Sequence, residues 1–171
     1  NPSSEEIVIE ESLLTSPVAS LEASGRILLA LFELEDFRIA ACDIVLESIP
    51  HYLVALKAII PFNIGFSGQS DLEVLLSGQL DHLTLDANWD LSESLLTYAR
   101  FFSKPKDLPL NLSCDFILKD HHLLTGNFSV HLEAMTLKGT VSGFDRRSGS
   151  GTVNLITNKF PLEGWESLVP P

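Results

Sequence analysis

"LTLDANWDL", Leu83 to Leu91, alternates apolar and polar residues without a break. Leu83, Leu85, Ala87, Trp89 and Leu91 fall on one side of an extended chain, and Thr84, Asp86, Asn88 and Asp90 on the other. Successive side chains of a β-strand point to opposite faces, so this spacing predicts a strand with one oily and one wet face. A helix would scatter the same residues around its circumference. The pattern returns in "LPLNLSCDFILK" (108–119), where Leu108, Leu110, Leu112, Cys114, Phe116 and Leu118 are in phase and Ile117 is the exception. It returns again in "FSVHLEA" (128–134), through Phe128, Val130, Leu132 and Ala134. One-sided strands of this kind build antiparallel sheets that are covered on one face.

Working outward, the phase passes to Leu137, Gly139 and Val141 after Ala134, which predicts a turn or bulge near Glu133–Thr136. Pro109 cannot donate to a ladder and should mark a strand start or an edge. The Gly-containing stretches "GFSGQSD" (65–71), "SGQLDH" (77–82), "KDHHLLTGN" (119–127) and "FDRRSGSG" (144–151) read as turns. Strands this closely spaced, with no helix between most neighbours, form hairpin meanders and not βαβ units. In the N-terminal third, "EEIVIEE" and "GRILLALFELEDFRIAACDIVLES" predict two or three further strands. Within them "ILLALF" (27–32) has no polar face and reads as a doubly covered strand or one meeting another apolar surface.

Two segments depart from the alternation. "IPHYLVALKAIIP" (49–61) and "NKFPLEGWESLVPP" (158–171) carry apolar residues at helical spacing behind an entrance proline, which the first helical turn tolerates. They predict short amphipathic helices near 50–60 and 161–169. Their shared layout suggests an internal repeat with boundaries near 49–61 and 160–170. The expectation is a single mainly β domain over 1–171, a curved, groove-like antiparallel meander sheet carrying these two helices. A chain that opens on Asn1 and stops just past the second segment is expected to be a piece of a longer repeat array.

Composition narrows the function classes. The 171 residues can bury one sizeable core. A net charge of -12 is combined with a mean hydropathy of +0.21, so the polar positions are largely acidic. Such a surface repels nucleic-acid phosphates, and nucleic acid is not an expected partner. The longest apolar runs, "ILLALF" and "YLVALKAIIPF" (52–62), fall short of the ~20 residues a membrane span requires. His121 and His122 are adjacent in a predicted turn and point apart, while His51, His82 and His131 stand at no metal-ligand spacing. Cys42 and Cys114 are far apart and read as small buried thiols. "GFSGQ" misses the nucleophile-elbow spacing by one residue. The pairs Lys104/Lys106 and Arg146/Arg147 read as loop charges, and the acidic residues lie on wet phases where a raised carboxyl pKa is not expected. No catalytic, metal or cofactor-binding residue is predicted, and the chain is not expected to be an enzyme.

What remains is the quantity of apolar strand face. Such faces either pair as a closed β-sandwich core or leave a trough that acyl chains can enter. Three stretches resemble the AsmA-like family of bacterial envelope proteins: "IGFSGQSDLEVLLSGQLDHLTLDANWDLSESLLTYARFF" (64–102), "KPKDLPLNLSCDFIL" (104–118) and "GSGTVNLITNKFPLEGWESLVP" (149–170). The second departs from the family pattern, with Lys106–Asp107 where a small or Gly-containing turn is usual. The resemblance implies a periplasmic chain tethered to the inner membrane, whose repeat-built sheet curls into a groove carrying phospholipids between inner and outer membranes. It implies no bond chemistry and no cofactor. Partners would be acyl chains, neighbouring repeats of the same chain, and the two membranes through other parts of the parent. By phase, the lipid-contacting candidates are Leu83, Leu85, Trp89, Leu91, Leu110, Leu112, Phe116, Leu118, Phe128, Val130 and Leu132. Leu162, Trp165 and Leu168 would close the groove end. The alternative is an envelope scaffold or assembly domain, a closed β-sandwich acting through protein partners without lipid.

Overall fold

The computed structural model describes residues 5–48, 64–120, 122–145, 150–161 and 165–168. Their alternation becomes eleven strands: β1 (Glu6–Thr15), β2 (Ser20–Leu28), β3 (Glu33–Val45), β4 (Ile64–Gln79), β5 (His82–Asp90), β6 (Ser94–Tyr98), β7 (Phe102–Lys104), β8 (Leu110–Lys119), β9 (His122–Leu132), β10 (Met135–Asp145) and β11 (Ser150–Thr157). All belong to one open antiparallel sheet in the order β1-β2-β3-β4-β5-β8-β9-β10-β11. The chain leaves this path once, to make β6 and β7, which pair as β4-β6-β7. Nine strands at ~4.8 Å spacing give the main path a width of about 38 Å.

Register carries the period-two pattern across the sheet. Leu76, Leu85, Phe116, Gly126, Val141 and Val153 lie opposite one another in a row across β4, β5, β8, β9, β10 and β11. Val74, Ala87, Cys114, Phe128, Gly139 and Leu155 form the next row on the same face. The intervening rows, such as Leu75, Asp86, Asp115, Asn127, Thr140 and Asn154, face the other way. A slip of one residue anywhere would put an oily row on the wet face, so alternation limits register to even shifts and the turns select among them.

Several local expectations are met. Glu133 and Ala134 form the two-residue turn between β9 and β10, and Pro109 sits one residue before β8. Others are corrected. "GFSGQSD" is not a turn but runs through β4. Gly68 (φ +94) stands where β4 changes neighbour, from β6 along 64–68 to β3 and β5 beyond it. A Cβ there would lie 2.6 Å from the Glu93 carbonyl oxygen, so this crossing point demands glycine. "ILLALF" is not a doubly covered strand: it ends β2 and then turns, leaving Leu31 and Phe32 exposed. Its lack of a polar face reflects a hairpin tip and not a second covering layer.

The two expected helices are not borne out. No α-helix occurs among the described residues; 165–168 is a single 3-10 turn, and 50–60 lies outside those residues. The described strands make one open sheet and not the two facing sheets of a sandwich.

The core gathers at one end of the sheet. Ala41, Ile44, Leu46, Leu91, Leu110, Leu132 and Leu168 are buried together, with Phe66, Leu72, Trp89, Leu96, Phe102, Leu112, Val130, Met135 and Trp165 packed around them. These residues come from one end of β3, β4, β5, β8 and β9, the β5–β6 connection, the start of β10, the 3-10 turns at 46–48 and 165–168, and the small β6–β7 unit. At this end the bulge between Ala41 and Ile44 puts Asp43 at φ 54, and the Asp71 carboxylate accepts its N–H at 2.9 Å.

Candidate functional site

The candidate groove residues separate into three groups along the length of the strands. Leu91, Leu110 and Leu132 are 4%, 7% and 4% exposed and belong to the core, so they are not available to a ligand. Trp89, Leu112 and Val130 pack against the core margin. Trp89 is held there by its indole N–H, which donates to Ser70 Oγ at 3.0 Å. Leu83, Leu85, Phe116, Leu118 and Phe128 lie farther along the same face and stay half-buried, with no second layer of described strands above them. Phase alone cannot divide a strand in this way, because core and open face are the same side of it.

Two aromatic rings shape the open part. A Cβ on Gly126 would lie 2.0 Å from Phe116 Cδ1, and one on Gly139 would lie 2.1 Å from Phe128 Cζ. Phe116 is directly opposite Gly126, and Phe128 directly opposite Gly139. Each ring therefore leans over the glycine backbone of the next strand instead of standing up from its own. The result is a low, smooth apolar floor with no hydrogen-bonding group on its rings.

At the closed end, Leu168 is buried and Trp165 packs on the core, stacked on Phe160 with ring centroids 4.8 Å apart. Leu162 lies outside the described residues. Beneath this end is Lys104, which the sequence reading placed among loop charges. It is wholly buried, and its Nζ donates to the carbonyls of Ser92 (2.9 Å), Ser94 (2.7 Å) and Pro105 (3.0 Å). Burial pushes its pKa down, opposed by the carboxylates of Asp107, Asp90 and Glu93. The ammonium clasps the β5–β6 connection to β6 and β7. Its only sequence signal was a position at a strand end before proline.

The opposite face contains a hollow of about 630 Å³ that the sequence reading did not anticipate. Two adjacent polar rows line it, including Glu73, Asp86, Asn88, Ser113, Asp115, Asn127, Lys138, Thr140 and Asn154, with Leu75 and Ile156 at its outer strands. Asn127 Nδ2 donates to both Asp115 carboxylate oxygens, at 2.9 and 3.2 Å. Toward β3, Arg38 bridges Glu73 and Glu22, and its pKa is raised chiefly by the hydrogen bond to Glu73. None of the lipid-contacting candidates but Phe128 borders this hollow.

No protein family, curated protein or solved structure matches this chain. The likeness to AsmA-like proteins thus rests on the residues that carry it.

The remaining chemistry is sparse. No cluster of His, Cys, Asp and Glu able to hold a metal ion occurs among the described residues. His131 is on the wet face as expected, with its ring between the hydroxyls of Ser129 (2.8 Å) and Thr136 (3.1 Å). Cys42 and Cys114 are free thiols, half-buried and not sealed in the core as expected, and desolvation pushes both pKa values up. No described helix is long and apolar enough to cross a membrane.

Proposed function

We propose that the open part of the apolar face is a groove for phospholipid acyl chains, and that the chain is a non-enzymatic, periplasmic, AsmA-like segment in lipid transfer between inner and outer membranes. The observation that carries this reading is the run of oily rows beyond the core, floored by Phe116 and Phe128 and left half-exposed. A chain in water ordinarily spends such residues on a closed interior; a long face that no described strand covers favours an apolar partner. Bulges in five of the eight neighbouring pairs on the main path raise the local twist. Acyl chains would lie along Leu83, Leu85, Phe116, Leu118 and Phe128 while headgroups stay in water. Each methylene removed from water contributes about 0.8 kcal/mol.

A photoreactive amino acid at position 116 tests this in cells. Lipid adducts at 116 are expected, with none at 88, which faces the other side. Equal labelling at both positions, or none at 116, would sink the proposal.

A further inference from the structure

The main path of the sheet ends in two edges, and they are built differently. β1 carries Glu6, Glu10 and Glu11 and is broken by a bulge between Ile9 and Ser12. Charges and bulges are the usual means by which an edge strand resists pairing. β11, "SGTVNLIT", has no charged residue and no proline, and its register with β10 is unbroken from Thr152 to Thr157. Ile156, at 74%, is its most exposed apolar side chain, with Leu155 at 58% and Val153 at 56%; Leu13 and Leu14 of β1 are exposed as well, at 64% and 65%, so the two edges differ in charge and regularity and not in oiliness. Among the described residues no strand pairs with the outer side of this segment.

We infer that the β11 edge is an interaction surface for a second copy of this chain, the two β11 strands pairing antiparallel about a twofold axis at Asn154. The register follows from the faces. Residues directly opposite in an antiparallel pair share a face, so odd must meet odd and even must meet even if oily rows are to stay in line. Centring on Asn154 places Val153 opposite Leu155, Thr152 opposite Ile156 and Gly151 opposite Thr157, with Asn154 facing its own copy. The whole regular part of β11 is then used. No charge is set against a like charge, whereas any pairing through β1 would bring in its three carboxylates. β1 also runs parallel to β11, because the main path has nine alternating strands. The pairing continues the apolar rows of one copy into those of the other through Val153 and Leu155, so the oily face roughly doubles in width. The inference rests on the edge and is independent of what the face binds.

Light scattering and sedimentation of the purified 171-residue chain test it. A mass twice that of the chain is expected. Asn154→Lys, which sets two ammonium groups opposite each other, and Ile156→Lys should each shift the protein to monomer with its far-ultraviolet β-signal unchanged. Thr125→Lys, equally exposed on the polar face but two strands inward, should remain dimeric. A monomeric wild type, lysine variants at 154 and 156 that stay dimeric, or dissociation by Thr125→Lys as well would overturn it.

Discussion

Lys104 holds its ammonium group against three backbone carbonyls with no surface open to water. Removing the donor strands three buried acceptors around the β6–β7 unit, so Lys104→Met should lower stability by about 3 kcal/mol in urea unfolding. The pH dependence has a definite sign. The unfolded lysine keeps its proton up to the usual 10.5, while the buried one loses it earlier. Between these limits the unfolded state binds more protons, and stability rises with pH. The wild type should therefore gain on Lys104→Met as pH climbs toward 10.5; a gap that narrows would contradict the account. A lysine two residues from another, beside proline, has no local mark of burial. Its role depends on Ser92 and Ser94, which the β5–β6 connection folds over it.

The strand pair is the unit in which the candidate groove is built. Phe116 covers Gly126, and Phe128 covers Gly139, so a ring on each strand occupies the space that a side chain on its neighbour would need. Gly126→Ala should cost about 2 kcal/mol by forcing the Phe116 ring off its site. In a Phe116→Leu background the same change should cost less, and a double-mutant cycle measures the coupling. Purely additive losses would mean that ring and glycine do not share that space. Alternation showed that Phe116 and Phe128 face the oily side. It did not show which glycine each would cover, since that follows from register, and register depends on the lengths of turns between strands.

Taken whole, the molecule joins a net charge of -12 to an oily face that no described strand covers. If acyl chains enter that face, uptake of lipid from zwitterionic vesicles should exceed uptake from anionic ones. The difference should shrink in high salt, where charges beyond a Debye length of ~3 Å at 1 M are screened. A preference for anionic vesicles in a transfer assay would argue against the charge mattering in this way. By itself, the sequence determined that this chain is β, antiparallel and oily on one side, because the direction of a side chain from a strand is local and repeats every two residues. Only the tertiary structure decided where that oily side becomes core. Leu91, Leu110 and Leu132 share the phase of Leu85, Phe116 and Phe128, yet the first three are sealed and the others are half open. The difference lies in what reaches them: Leu46, Leu168 and the β6–β7 unit converge on one end of the sheet. Burial is set by residues brought from far along the chain, and no window of local sequence contains them.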